Sequence, residues 1–226
     1  MQCLSNGRDL VSESIPPTTS TSPSTSITPT IADSDAVVGD DGVARCAWSA
    51  ADAEYRRYHD EEWGTPLHGD RALFEKLSLE GFQAGLSWIT ILKRRPAFRE
   101  LFRDFEPTVV AAFTDAEVER LMLDARIIRN RAKILATIGN ARIVSSMTAS
   151  DPGALDRLMW SFAPTTHVAP TSFADVPAVT AESSALSRAL RALGFRFVGP
   201  TTMYALMQSS GMVDDHVVGC WRAAKP

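Results

Sequence analysis

The chain has 226 residues, 45% of them hydrophobic and 22% charged, enough to bury one sizeable core and at most a small subdomain. No apolar run approaches the roughly 20 residues that a helix needs to cross a bilayer, so a soluble, cytoplasmic protein with no membrane partner is expected. Three cysteines are too few for a disulfide framework and point to a reducing interior.

The net charge of −4 is unevenly placed. Positions 1–43 hold one Arg and six acidic residues, which leaves 22 basic and 21 acidic residues in 44–226. That folded part therefore carries +1, and a polyanionic partner is not excluded. Residues 12–30 (SESIPPTTSTSPSTSITPT) are Ser, Thr and Pro almost throughout, with too little apolar surface to offset chain entropy. The stretch 1–43 also lacks the apolar centre of a secretory signal and the basic, acid-poor character of a transit peptide. It is expected to be a disordered extension.

From Ala44 onward the pattern is helical. Asp70 reads as the N-cap of a helix with Leu73, Phe74 and Leu77 on one face. The segment 83–94 is apolar, ends in basic residues, and is expected to break at Pro96. Thr114 and Glu117 form a capping-box pattern for a helix over 115–124. A long helix over 129–147 places Ile134, Leu135, Ile138 and Ala141 on one stripe. Residues 151–162, 182–193 and 199–211 read as further helices, and the Pro- and Thr-rich 163–180 as a surface loop. With no convincing alternating strand, the expected fold class is all-α.

Four residues bracket this folded part. Cys46 and His59 are separated by twelve residues, and His216 and Cys220 by three. Two thiolates and two imidazoles match the four-coordinate set that zinc prefers in structural sites. Buried cysteines beside unrelated histidines are the alternative. His68 and His167 have no partner by spacing and read as surface residues.

Two basic groupings and one aromatic grouping carry further chemistry. Around Asp124–Arg131, one helix stops and another starts among Arg129, Arg131 and Lys133. The free N–H groups of a helix start suit a phosphate, and the basic side chains would track a nucleic-acid backbone. A plain helical hairpin with solvated arginines is the competing reading. Arg126 stands where such a DNA-gripping hairpin usually has Gly. Lys93, Arg94, Arg95, Arg99 and Arg103 form a second stretch that either flanks DNA or is solvated. Trp48, Tyr55, Tyr58, Trp63 and Trp88 cluster near the first metal pair. Such rings are either core or a sandwich for an extruded base. Glu80, inside an apolar stretch, reads as a helix-end carboxylate or as a pocket acceptor.

Blocks in the same order throughout 45–226 resemble the family of 3-methyladenine DNA glycosylase I. They include RCAW (45–48), YHDEEWG (58–64), LEGFQAGLSWITILKRR (79–95), IIRNRAKI (127–134), IGNAR (138–142) and GFRFVGPTTMYALMQSSGMVDDHVVGC (194–220). The resemblance implies an all-α, helix–hairpin–helix-containing fold. It also implies one structural zinc on Cys46, His59, His216 and Cys220, tying the ends together. Glu80, Tyr58 and Trp88 match the base-recognising pocket, with Tyr55 and Trp63 helping to line it. Gln83–Leu86 matches the loop inserted into the DNA stack, with Leu86 as a wedge. The implied partner is double-stranded DNA carrying alkylated bases, and the default state is a monomer.

Asp151, in an Asp-Pro-Gly context, reads as a helix cap and not as a catalytic acid. Of four Lys only Lys133 lies by the hairpin; a lyase-type Lys nucleophile is not expected, and the enzyme is read as a monofunctional glycosylase. A zinc-stabilised DNA-binding module without activity would need the hairpin and metal but not Glu80 and its rings. A zinc hydrolase would need an open metal position, which four ligands deny.

Overall fold

The computed structural model describes residues 35–223, and the first 34 residues of the expected extension lie outside them. The described part begins ahead of Ala44, with a small antiparallel ladder of β1 (Ala36–Val38) and β2 (Ala44–Cys46) in which Ala36 faces Cys46. The all-α expectation is corrected to this extent. Strands of three residues are too short for alternation to register in sequence, and their pairing rests on the tight turn between them. There Gly39 N donates to Val43 O, and Gly42 N donates to Gly39 O.

The remaining described elements are helical: α1 (Ala53–Glu61), α2 (Asp70–Gln83), α3 (Trp88–Leu101), α4 (Pro107–Ala111), α5 (Asp115–Leu123), α6 (Arg131–Ser150), α7 (Ala154–Trp160), α8 (Ala181–Ala192) and α9 (Pro200–Ser209). The stretch 163–180 is irregular apart from one 3₁₀ turn at Phe173–Asp175. No helix among the described residues is long and apolar enough to cross a membrane.

Helix α2 is the axis of the packing, touching α3, α6, α7 and α9. All residues from Lys76 to Phe82 are buried, so this helix has no solvent face over two turns. Beside it lies an aromatic stack. Phe82 meets Phe98 at 4.7 Å between ring centres and Phe102 at 5.8 Å, and Phe102 meets Phe105 at 5.3 Å. Each such ring, removed from water, stabilises the fold by roughly 1.5–3 kcal/mol.

Helix ends differ in detail from the sequence reading. Gly69, not Asp70, precedes the first turn of α2. Asp70 instead caps the start of α7, accepting from Gly153 N (2.7 Å), Leu155 N (3.0 Å) and Asp156 N (3.1 Å). Thr114 forms the expected capping box with Glu117. The apolar run 83–94 divides between two helices, and α3 then continues through Pro96. That proline is exposed, while Leu92, Arg95, Phe98 and Leu101 are buried around it. Packing of this inner face holds the helix across the hydrogen bond that the ring removes.

Helices α5 and α6 pack together across the connection 124–130. Asp124 accepts from Arg126 N at 2.9 Å and clasps its guanidinium, which also meets Glu100 at 2.7 Å. Arg126 has no positive φ. The turn therefore closes by a side-chain-to-backbone bond and does not require the glycine expected there. Asn130 caps α6 by accepting from Lys133 N at 3.2 Å.

Candidate functional site

Five aromatic residues and one acidic residue, drawn from several elements, meet at one cavity. Its volume is about 200 Å³, and Trp48, Tyr55, Tyr58, Trp63, Glu80, Gln83, Trp88, Ala205, Gln208 and Ser209 surround it. This is smaller than the roughly 300–1,000 Å³ of a site for a drug-sized ligand, and suits a single flat ring system. Helix α1 supplies Tyr55 and Tyr58 one turn apart, α2 supplies Glu80 and Gln83, and the first residue of α3 is Trp88. Tyr55 also steadies α3, whose Ile89 N donates to the Tyr55 hydroxyl at 3.0 Å.

The rings form a continuous wall. Trp48 meets Tyr55 and Trp63 edge-to-face, both at 5.2 Å, and Tyr58 lies 5.6 Å from Trp88. Edge-to-face contacts of this kind fix ring orientation as well as contributing area. The indole Nε1 of Trp88 is a buried donor with no partner among the described residues. Such an atom is costly to leave unpaired and marks a place for an acceptor.

Glu80 is 2% exposed and accepts a 2.8 Å hydrogen bond from the Ser209 hydroxyl. Burial pushes its carboxyl up to about 7, against the opposing pull of Lys76 and of the Ser209 bond. Burial likewise holds the Tyr58 phenol well above its ordinary range, so it stays protonated. Ser209, Gln208 and Ala205 on α9 were not singled out from sequence. They lie inside a recognised block, yet small and amide side chains give no local signal of a pocket.

The metal-type cluster adjoins this wall. Ligand atoms of Cys46, His59 and Cys220 lie within 4.8 Å of one another, with His59 Nε2 3.3 Å from Cys220 Sγ. His216 stands beside them, its ring centre 4.8 Å from that of His59 and its Nε2 buried without a partner among the described residues. In both imidazoles Nδ1 is engaged by a carboxylate, Asp60 at 2.8 Å for His59 and Asp214 at 2.6 Å for His216. That arrangement leaves Nε2 to face a cation, as in carboxylate–histidine–metal relays. Gly64 makes room for it, since a Cβ there would stand 2.7 Å from His216 Cε1. The four residues fit a soft or borderline cation. Trp63 packs on His216 at 4.6 Å and Trp48 on His59 at 5.4 Å, so the cluster and the cavity share a wall.

Around the α2–α3 connection, Ala84 and Gly85 form a tight turn in which Leu86 N donates to Gln83 O. Gly85 has φ of +86°, a conformation that other residues resist. Leu86 is 40% exposed at this tip. Lys133, expected on a phosphate backbone, is instead 8% exposed, with Nζ donating to Phe82 O at 2.8 Å and Ala84 O at 2.7 Å. It closes the C-terminal carbonyls of α2, whose own helical donors have run out. Arg129 and Arg131 are exposed, and Arg131 is paired with Glu119 at 2.7 Å.

The second basic stretch is largely paired within the fold, though only Arg95 is buried. Lys93 pairs with Asp52 at 2.6 Å, Arg95 with Glu62 at 2.5 Å and Arg99 with Glu75 at 2.7 Å, while Arg94 donates to Ala125 O at 2.8 Å. Asp151 is at the surface, paired with Arg157. His68 is exposed, with Nδ1 3.1 Å from Asp156 and its ring stacked on Trp160. His167 is partly covered and meets Asp215 at 3.1 Å.

A helical protein with a ring-lined cavity for one flat ligand is what the fold and site define. A family model described as methyladenine glycosylase matches residues 48–223, and the chain belongs to that family. DNA-3-methyladenine glycosylase 1 of Escherichia coli (strain K12) is 49% identical over 181 residues, covering 79% of this chain and 96% of the relative. A crystal structure of a 3-methyladenine DNA glycosylase I superposes with a TM-score of 0.76 at 43% identity, over 80% of this chain and all of that one. The Staphylococcus aureus enzyme, solved for the structural basis of 3-methyladenine recognition, superposes at 0.75 with 34% identity, over 80% of this chain and 97% of its own.

Lys133→Met is expected to lower stability by about 3 kcal/mol, the order expected for losing hydrogen bonds to a charged donor. Amides of residues 84–87 should lose hydrogen-exchange protection ahead of the rest. Urea denaturation and exchange measured together check both, and protection unchanged at 84–87 would contradict the assignment.

Proposed function

We propose that the chain is a monofunctional DNA glycosylase that hydrolyses the N-glycosidic bond of 3-methyladenine in alkylated double-stranded DNA, acting as a cytoplasmic monomer. The observation that carries this reading is a cavity walled by five rings with a buried carboxylate at its side, in a chain of this family.

An adenine methylated at N3 is cationic while joined to the sugar, so it is already a good leaving group. What the protein must add is capture. The faces of Tyr58, Trp88, Tyr55, Trp63 and Trp48 attract a cation through their ring quadrupoles. Glu80 as carboxylate accepts from the exocyclic amine and complements the charge. Water bonds to the anomeric carbon as its bond to the base breaks. The bonding pair leaves with the base, which departs neutral, and a water proton passes to solvent. An abasic site remains.

The base reaches the cavity only after leaving the duplex stack. Leu86, at the tip of the turn that begins at Gln83, supplies an apolar wedge that unstacks neighbouring bases. Arg129 and Arg131, with the free amides at the start of α6, form the helix–hairpin–helix grip on phosphates. Lys133 contributes by supporting the wedge turn.

One structural zinc would be held by Cys46, His59, His216 and Cys220. Bound there, it supplies a cross-link between β2 and the C-terminal segment and takes no part in the reaction. The buried, unpartnered Nε2 of His216 supports this set.

Methylated duplex DNA incubated with the protein should release free 3-methyladenine and little 7-methylguanine, as resolved by chromatography. Glu80→Gln should remain folded and lose roughly ten- to a hundredfold in that release, the range of one charge-assisted hydrogen bond. A folded protein that binds duplex but frees no base would be a DNA-binding module instead. Elemental analysis should find one zinc per chain, and Cys220→Ala should destabilise the whole fold. A well-folded but slow Cys220→Ala protein would contradict a structural role.

A further inference from the structure

A second cavity, of about 190 Å³, shares Ser209 with the aromatic one and is lined by Glu61, Glu62, Glu75, Lys76, Arg95 and Arg99. Its charges are matched almost completely. Arg95 pairs with Glu62 at 2.5 Å, Arg99 with Glu75 at 2.7 Å, and Glu61 with Arg57 at 3.0 Å. Lys76 is the exception. It is 7% exposed, and its ammonium makes no ion pair within 4 Å among the described residues. Instead it lies 5.1 Å from the ring centre of Tyr58 and 5.6 Å from that of Trp88, the two rings at the heart of the aromatic wall.

Glu80 follows Lys76 by one helical turn on α2, which places the two on the same face. It too is buried, and its hydrogen-bond partner, Ser209, is neutral. A buried charge without a counter-charge is strongly unfavourable, and these two groups are each other's remaining complement.

We propose that Lys76 is a positioning residue that sets specificity: its buried ammonium, placed against the rings of Tyr58 and Trp88, keeps Glu80 ionised when a base closes the cavity. This rests on the glycosylase reading of the site. The neighbouring groups leave that task to Lys76. Tyr58 on α1 is protonated, Glu62 beyond the end of α1 and Arg95 on α3 neutralise each other, Glu75 on α2 is paired with Arg99, and α9 presents the neutral Gln208 and Ser209. Burial raises the Glu80 carboxyl to about 7, and the Lys76 charge is the largest influence opposing that rise.

The sign of the effect follows. With a midpoint near 7, Glu80 is a carboxylate above that pH and a neutral acid below it. Preference for a cationic base is therefore lost as pH falls through 7. Without Lys76 the carboxylate loses its counter-charge, the midpoint rises, and the loss occurs at higher pH.

The test is single-turnover release of 3-methyladenine from duplex DNA across the pH range on both sides of neutrality. Wild type, Lys76→Met, Lys76→Arg and Glu80→Gln are compared, with thermal unfolding as a control of fold. For Lys76→Met the acidic limb should move up by about one pH unit, which is about tenfold slower release on that limb. Lys76→Arg should restore the wild-type limb, and Glu80→Gln should flatten it. A folded Lys76→Met protein with the wild-type limb would overturn the proposal. Should Lys76→Met not fold, Lys76→Gln is read in the same way. No release by wild type at any pH is failure of the glycosylase reading and takes this proposal with it, whereas an unshifted limb in an active variant is failure of the proposal alone.

Discussion

A single carboxylate held out of water beside aromatic rings is the constraint around which the rest of the structure is arranged. Ionised Glu80 cannot be buried cheaply, and its surroundings are arranged to tolerate it: Ser209 donates a hydrogen bond from α9 and Lys76 adds charge from the preceding turn. Helix α2 can carry both groups only because α3, α6, α7 and α9 enclose it. The large all-helical core thus serves a small polar site. It supplies the low dielectric in which, on the proposed function, one carboxylate would distinguish a cationic ligand from a neutral one.

The aromatic wall depends in turn on the two ends of the described chain being brought together. Trp48 and Trp63 line the cavity and also pack on His59 and His216. The Cys–His cluster joins the segment after β1 to the segment after α9, across a sequence separation of 161 from His59 to Cys220. A cation bound there would restrain both ends and, through the tryptophans, the shape of the pocket. At the end of α2, Lys133 links that helix to the start of α6, so that the exposed Leu86 turn is braced from within the fold.

Sequence made some of this legible and hid the rest for physical reasons. Rings and metal-type ligands stand out because they are rare and fall in short blocks, and the structure gathers Tyr55, Tyr58, Trp63, Glu80 and Trp88 around one cavity. Helix positions were visible for amphipathic segments such as α5 and α8. At α2 the start was legible from Leu73, Phe74 and Leu77. The second half is buried on every side from Lys76 to Phe82 and shows no stripe, so nothing in the sequence singles out Lys76. The strands were too short to show a period. Pro96 suggested a break that packing overrides. The stretch 93–103 read as either a DNA flank or a solvated helix end, and its ion pairs stayed hidden because the acidic partners, Asp52, Glu62 and Glu75, come from distant turns. Lys133 misled similarly, since the carbonyls it binds are about fifty residues away.

The most direct measurement is the titration of Glu80 itself, followed by carbon-detected NMR of the side-chain carboxyl in the full-length protein. A midpoint near 7 is expected, with Lys76 and Ser209 in place. A midpoint in the ordinary glutamate range, about 4.3, would mean that water reaches the carboxylate, and the cavity would not be the desolvated pocket on which the proposed recognition of a cationic base depends.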